Sequence, residues 1–200
     1  MKKTITIHLL SVKQVKVNLS IILPLLPKDR IEKAERYLSE NDRLLSLGGS
    51  YLIEKYTGST PILISKEGKP FKEGHQFSIS HSGDYIAYAE DDLPIGIDIQ
   101  KIIPLRKSLP SFTMSEEEMN NMKKDEDFFR LWSLKESLMK CLGVGLKGDY
   151  KKIIAREGTY LYEGHEVSSI SSSSLDGYAL AITIDGKESL CVRIEFDKIA

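Results

Sequence analysis

Apolar residues recur along this chain with two periods, and each change of period marks an element. Near the start Ile5, Ile7 and Leu9 alternate with Thr4, Thr6 and His8, the two-residue repeat of a half-buried strand with His8 on its polar side. After Pro27 the repeat turns helical over a segment bearing Lys28, Arg30, Lys33 and Arg36. Ser39, with Asp42 three residues on, resembles a capping box. It predicts a helix that buries Leu44, Leu45, Leu47, Tyr51, Leu52 and Tyr56 and closes at Gly58. Pro61 to Ser65 reads as a short strand, followed by a turn at Glu67-Gly68-Lys69-Pro70.

From His75 to Gln100 the two-residue period returns as a meander of three strands. Phe77 and Ile79 oppose Ser78 and Ser80, Gly83-Asp84 fits a two-residue hairpin, and Tyr85 to Ala89 returns. In the third strand Ile95, Ile97 and Ile99 face one way and Gly96, Asp98 and Gln100 the other. The longest helical pattern starts at Phe128. At 100° per residue Phe128, Leu131, Trp132, Leu134, Leu138, Met139 and Leu142 share one arc, Ser133 and Ser137 flank it, and Gly143 stops it. Ahead of it Ser115 caps a turn containing Glu116, Glu117 and Glu118. Beyond it, Ser168 to Ser174 reads as a serine-rich loop, and a hairpin of Tyr178–Ile184 and Leu190–Phe196, turning at Asp185-Gly186, closes the chain.

Strands and helices interleave, so the expected fold class is α/β (α+β). Lys101 to Pro110 is the expected boundary between two halves, 1–100 and 101–200. A short echo, Ser82-Gly83-Asp84-Tyr85-Ile86-Ala87 against Leu175-Asp176-Gly177-Tyr178-Ala179-Leu180-Ala181, suggests that the halves are similar.

Composition narrows the class. With 28% charged and 41% hydrophobic residues in 200, the chain has the make-up of a folded protein rather than a disordered one. A net charge of -1 argues against general nucleic-acid binding. Cys141 and Cys191 lie far apart and form no metal-ligand spacing. The apolar run Leu19 to Leu26 is short and carries Pro24, too little for a membrane span. A cytoplasmic protein with neither a nucleic-acid nor a membrane partner is expected.

Four features break the packing pattern. Lys135 falls inside the apolar arc, where a lysine must snorkel or meet an anion. Glu136 and Lys140 stand at i and i+4 on the flank, as a metal and phosphate site or as an ordinary salt bridge. Asp98, between isoleucines and beside a side-chain-free glycine, suggests room for something other than protein, or else an edge carboxylate facing water. His81 ends a strand at a tight turn, as a site residue or a structural one. Lys33, Arg36 and Arg43 ride two successive helices and by pattern alone read as solvated surface.

Three stretches in this order and spacing resemble the phosphopantetheinyl transferases of the larger, surfactin-synthetase-activating type, and the resemblance covers most of the chain. They are Gly68-Lys69-Pro70 with Phe77-Ser78-Ile79-Ser80-His81-Ser82-Gly83, then Gly96-Ile97-Asp98-Ile99, then Phe129-Arg130-Leu131-Trp132-Ser133-Leu134-Lys135-Glu136-Ser137 with Lys140 and Gly143. The resemblance implies two similar α/β halves related by a pseudo-twofold, with the active site in the cleft between them. It implies transfer of the 4′-phosphopantetheine arm of coenzyme A to a serine of an apo acyl or peptidyl carrier protein, with release of adenosine 3′,5′-bisphosphate. It also implies Mg²⁺, with Mn²⁺ as an alternative; two halves in one chain would let a monomer form the cleft alone, so a monomer is expected.

By the same resemblance Asp98 and Glu136 match metal carboxylates, and Lys135 and Lys140 match residues on the pyrophosphate. His81 matches a phosphate contact, Lys69 and Ser80 further coenzyme A contacts, and Lys33, Arg36 and Arg43 the 3′-phosphate region. Glu116 aligns with a glutamate near the metal, so either it or Glu136 is the candidate base. The catalytic set implied is Glu136, Lys140, Glu116 and His81. One departure is Gln100, where the family usually carries a second acid; a neutral amide is a poorer Mg²⁺ ligand. It keeps open a catalytically silent module that binds coenzyme A or a carrier protein. An RNA-binding domain is the remaining alternative, against which stand the net charge and the lack of an aromatic RNA-binding signature.

Overall fold

Two runs of the chain repeat one order of elements: strand, helix, then a hairpin. The computed structural model describes residues 2–58, 62–66, 68–105, 110–156, 159–172 and 174–199. The first run is β1 (Lys3–Ser11), a helical stretch α1 (Val12–Val17), α2 (Leu19–Ile22) and α3 (Lys28–Glu35), the long helix α4 (Glu40–Thr57), the two-residue strands β2 (Leu63–Ile64) and β3 (Pro70–Phe71), and the hairpin β4 (Gln76–Ser82) and β5 (Tyr85–Asp91). The second is β6 (Ile95–Lys101), α5 (Pro110–Thr113), α6 (Glu116–Asn121), α7 (Asp125–Leu142), β7 (Ile154–Arg156), β8 (Thr159–Tyr162) and the pair β9 (His165–Ser172) and β10 (Tyr178–Ile184), with β11 (Leu190–Phe196) last.

Each run makes the same sheet. One sheet has the order β11-β1-β5-β4 and the other β6-β10-β9-β8-β7, so the opening strand of each run lies against the second strand of its own hairpin. Both of those pairings are antiparallel. The pairing also crosses the expected 1–100 and 101–200 division both ways. β6 joins the second sheet, and β11 returns to lie parallel to β1, from Lys3 opposite Leu190 to Leu9 opposite Phe196.

The sheets pack face to face. Ile5, Ile7, Leu9, Ala87 and Ala89 of one meet Ile95, Ile97, Ile99, Leu180, Ile182 and Ile184 of the other. Helix α4 covers the outer face of the first sheet through Leu44, Leu45 and Leu52 against Leu10, Ile86 and Tyr88. Helix α7 covers the outer face of the second. The order is helix, sheet, sheet, helix, a mixed α+β architecture.

The expected caps are present. The Ser39 hydroxyl accepts the Asp42 N–H at the start of α4, Ser115 and Glu118 form a full capping box on α6, and Gly143 ends α7 in the left-handed region at φ 69°. The sequence echo is structural too, since Gly83-Asp84 and Asp176-Gly177 precede the equivalent strands β5 and β10. The two turns meet: the Tyr85 and Tyr178 rings lie 5.2 Å apart edge to face, and the Tyr178 hydroxyl donates to Asp84 at 2.9 Å.

Three expectations fail on strand pairing. Ser168 to Ser172 is not a loop but part of β9. Its serines find partners in place, Ser169 Oγ with Thr183 Oγ1 at 2.6 Å and Ser168 Oγ with the Gly186 carbonyl at 2.7 Å, so the ladder overrides local propensity. The closing hairpin does not form, because β10 already has β6 on one edge and β9 on the other. The meander stops after two strands, since β6 leaves for the second sheet. Residues 106–109 of the expected boundary lie outside the described residues. No helix among the described residues is long and apolar enough to cross a membrane.

Candidate active site

Strand β4 and strand β6 run past each other without a backbone ladder. Ser78, Ser80 and Ser82, every second residue of β4, accept instead the backbone N–H groups of Ile97 (3.0 Å), Ile99 (3.3 Å) and Lys101 (3.0 Å). Small hydroxyls thus satisfy the edge of β6 and leave an open seam between the sheets.

Asp98 sits on this seam, 1% exposed. Its Oδ1 accepts from Ser80 Oγ at 2.8 Å and from Lys140 Nζ at 2.6 Å, and its Oδ2 accepts from the Gln100 amide at 3.0 Å. Lys140 reaches it because α7 lies almost on β6. A Cβ built on Gly96 would fall 1.9 Å from the Ser137 carbonyl oxygen and 2.5 Å from the Cys141 nitrogen. The space beside Gly96 is therefore filled by helix backbone, which corrects the expectation of room there for a ligand. The contact line is small and polar: Ser133 donates to the Ala179 carbonyl, Ser137 pairs with Thr183, and Cys141 donates to the Pro94 carbonyl. Ser133 and Ser137, expected on the flank, are the residues nearest the sheet.

Glu136 opens on the same seam. Its Oε1 accepts from the Tyr150 hydroxyl at 2.6 Å. Burial pushes its carboxyl above the usual range and the neighbouring Asp98 pushes the same way, against the Tyr150 hydrogen bond and Lys140. The cleft of about 490 Å³ between the sheets is lined by Asp98, Gln100, Glu136, Lys140, Trp132, Ser80, His81 and Lys33. Two adjoining cavities, of about 180 and 130 Å³, share Pro70 and Ile79 with it. Together they make one trough of adjoining cavities.

Other expected residues distribute around it. His81 ends β4 at the trough, and desolvation followed by the Lys140 charge holds its imidazole below the ordinary value. Lys33 lines the cleft from α3, while Arg36 and Arg43 are exposed and outside the lining residues. Lys69 lines the 180 Å³ cavity, but its ammonium bridges the carbonyls of Ile95 (3.1 Å) and Lys140 (2.8 Å), closing the end of α7, and burial lowers its pKa. Glu116 is exposed on the first turn of α6 and is not among the lining residues.

Lys135 does not come to the cleft. It lies about 140° around α7 from Lys140, 1% exposed, with its ammonium on Glu118 (2.6 Å), the Thr113 carbonyl (3.1 Å) and the Tyr150 carbonyl (3.0 Å). The anion it meets is a carboxylate of α6, not a phosphate. Burial pulls its pKa down, against the attraction of Glu118.

Several trough residues escaped the sequence reading. Arg30, three residues before Lys33, lines the 130 Å³ cavity with Ser46 and Ser50 of α4; the i, i+3 and i, i+4 spacings were the available signals. Tyr150, which supports Glu136 from behind and lines none of the three cavities, had no such signal, because it approaches Glu136 from beyond the end of the helix.

Could these residues hold a divalent cation? No group of three or more His, Cys, Asp or Glu is gathered for one among the described residues. Two carboxylates, Asp98 and Glu136, nevertheless share the seam, and burial first, then the Asp98 charge, raises the Glu136 carboxyl. Hard oxygen donors in this number suit Mg²⁺, which keeps several waters and takes further oxygens from phosphates. Gln100 spends its amide on Asp98, where an acid would add repulsion.

Comparison with known proteins points to one family. The family model of the 4′-phosphopantetheinyl transferase superfamily matches residues 94–183, from β6 through β10. A 4′-phosphopantetheinyl transferase of Bacillus subtilis is 32% identical over 178 residues, 77% of this chain and 80% of that protein. The 4′-phosphopantetheinyl transferase Sfp of Bacillus subtilis (strain 168) is 30% identical over 179 residues, with the same coverage. The match to the 4′-phosphopantetheinyl transferase psf-1 of Bacillus pumilus, at 32% identity, spans 53% of this chain and about half, 51%, of that protein. A solved structure, the holo-[acyl-carrier-protein] synthase of Thermotoga maritima, aligns with a TM-score of 0.36 and 18% identity over 48% of this chain and 64% of that one, a likeness too slight to add weight. On the strength of the relatives aligned across four fifths of their length, the chain belongs to the 4′-phosphopantetheinyl transferase superfamily and is similar to its Sfp-like type.

Proposed function

We propose that this chain moves the 4′-phosphopantetheine arm of coenzyme A onto a serine of an apo carrier protein, releasing adenosine 3′,5′-bisphosphate. The observation that carries the reading is the seam itself, where Asp98 and Glu136 from different elements open on one cleft beside the Lys140 ammonium. Coenzyme A would lie along the trough with its diphosphate at the seam. Its adenosine end would point toward the basic wall of Arg30, Lys33 and His81, and its pantetheine toward the more apolar cavity lined by Phe77, Ile79 and Met139.

Asp98 and Glu136 would hold Mg²⁺, which when bound supplies positive charge to the phosphoryl oxygens. The rest falls to the protein's own side chains. His81 donates to the diphosphate, and Lys140, whose three N–H groups are held by Asp98, Ser80 and the Ile97 carbonyl, sets its positive charge beside it, where charge spreads during attack by the serine hydroxyl. Glu136 is better suited than Glu116 to take the serine proton. It opens on the cleft, and burial has moved its carboxyl toward neutral pH. Both halves belong to one chain, so a monomer suffices, in keeping with a cytoplasmic enzyme.

The test is an intact-mass assay. Purified protein with Mg²⁺ and coenzyme A, offered a panel of apo carrier proteins, should add one phosphopantetheine mass to at least one of them. If no carrier gains mass with Mg²⁺ or Mn²⁺, while calorimetry still detects coenzyme A binding, the transferase reading gives way to a silent binding module. Gln100 favours that second reading by leaving the site one acid short.

A further inference from the structure

Glu136 is held from behind by a residue that lies outside the motifs. Tyr150 sits in a short 3₁₀ turn, 14 residues after Glu136 and 6% exposed. Its ring packs on Trp132 at 5.1 Å, and Trp132 in turn stacks on Phe128. Its carbonyl accepts from the buried Lys135 ammonium at 3.0 Å, and Lys135 is itself fixed by Glu118 and the Thr113 carbonyl. Tyr150 is thus clamped through both ring and backbone. Its one free donor, the hydroxyl, is spent on Glu136 Oε1 at 2.6 Å.

A carboxylate on a helix has several rotamers and two equivalent oxygens, and a phenol that occupies one oxygen settles both choices. No hydrogen bond from the described residues reaches the other oxygen, Oε2, and Glu136 lines the cleft. We propose that Tyr150, braced by Lys135 and Glu118, is the positioning residue that turns Glu136 toward a divalent cation and limits it to a single oxygen donor. The inference rests on the reading of the cleft as a cation-dependent transferase site. It also gives Lys135 work at a distance: the lysine holds the turn that holds the glutamate.

The experiment measures Mn²⁺ binding to the full chain with saturating coenzyme A, by the paramagnetic resonance signal of free Mn²⁺. Coenzyme A affinity without metal and the thermal midpoint are measured alongside. Tyr150→Phe keeps the ring and removes only the donor. Outer-shell partners of metal ligands typically carry roughly 10- to 100-fold in metal affinity, so a loss in that range is expected, with coenzyme A affinity unchanged and the thermal midpoint lowered by no more than a few degrees, the scale of one lost hydrogen bond. A variant that binds Mn²⁺ like wild type overturns the proposal. So does one that loses coenzyme A affinity in equal measure, which would mark a general packing role. A wild-type chain that binds no Mn²⁺ overturns it as well. Should Tyr150→Phe unfold, Glu118→Gln, which slackens the brace from its half-buried end, is read on the same two affinities with the same deciding outcomes. Wild-type mass gain on a carrier protein, followed separately, reports on the transferase reading alone, so either idea can fail without the other.

Discussion

The two halves set a long helix on a sheet in opposite ways. In the first half the small residue belongs to the helix: a Cβ on Gly48 of α4 would meet Val15 Cγ2 at 2.7 Å and Ile86 Cδ1 at 2.9 Å, both of them side-chain methyls rather than backbone. In the second half it belongs to the strand, and a Cβ on Gly96 of β6 would strike the backbone of α7 at 1.9 Å. Side chains can turn aside, whereas helix backbone cannot. The first contact leaves α4 on an apolar cushion, and the half contributes basic, hydroxylic and apolar walls to the trough but no acid among the lining residues. The second brings α7 down until Glu136 and Lys140 stand beside Asp98. Closeness of approach decided which half carries the acids.

The strongest way to break this contrast is a methyl group on each glycine. Gly96→Ala should cost about 4 kcal/mol, among the larger single-residue effects, and lower the melting temperature by roughly 10 °C. Gly48→Ala should stay within about 1 kcal/mol, because the helix propensity gained by alanine offsets the crowding. Equal losses in calorimetry would mean that the two contacts are alike after all.

Next come the two lysines of α7. Lys135→Ala leaves Glu118 facing a buried gap and two carbonyls without their donor, so a stability loss of about 2–3 kcal/mol is expected in urea unfolding. Lys140→Ala should instead lower transfer by at least roughly tenfold, the scale of one lost charge-assisted contact, with the smaller change in stability, because Ser80 and Gln100 still bond Asp98. If the losses are exchanged, so that Lys135→Ala lowers the rate and leaves unfolding untouched, the roles given to the two residues are wrong.

Glu136 provides a finer test. Its carboxyl titrates above the unfolded value of 4.5, so the fold disfavours the anion. That penalty is absent below the unfolded value and sets in as pH rises through the folded one. Glu136→Gln should therefore raise the melting temperature at pH 7 by a few degrees, about 2–4 °C for each kcal/mol, while abolishing transfer. The gain should shrink on acidification toward pH 4. A variant less stable than wild type at pH 7 would contradict this.

The smallest effect belongs to His81. Its folded value lies below the ordinary imidazole value of 6.5, so the stability it adds is present above that pH and is lost as pH falls through the depressed value. His81→Gln should flatten the decline in melting temperature between pH 7 and pH 5. An unchanged slope would mean that another group sets it.

Much of this was legible in the residues themselves. The alternation of Ile95, Ile97 and Ile99 against Gly96, Asp98 and Gln100 placed the carboxylate on the correct face. The caps at Ser39, Ser115 and Gly143 bounded the helices, and the paired Gly-Asp and Asp-Gly turns marked the repeat. What escaped were facts of pairing and direction. A serine run looks like a loop until β10 offers it a ladder, and two strands joined by a turn look like a hairpin until both edges of one are seen to be taken. The same limit applied to Lys135, for which spacing announced that an anion was required without saying on which side of the helix it lay.

By itself, then, the sequence determined the periods, caps and turns, and which side chains were too polar to be buried alone, because these depend on neighbours within a few residues. Only the tertiary structure decided that Glu118 rather than a phosphate would neutralise Lys135, that β11 would return to β1, and that Tyr150 would reach Glu136. Those outcomes depend on how closely one backbone can approach another. At Gly96 that distance is set by an atom that is missing, and its consequence appears only once the helix lies in place.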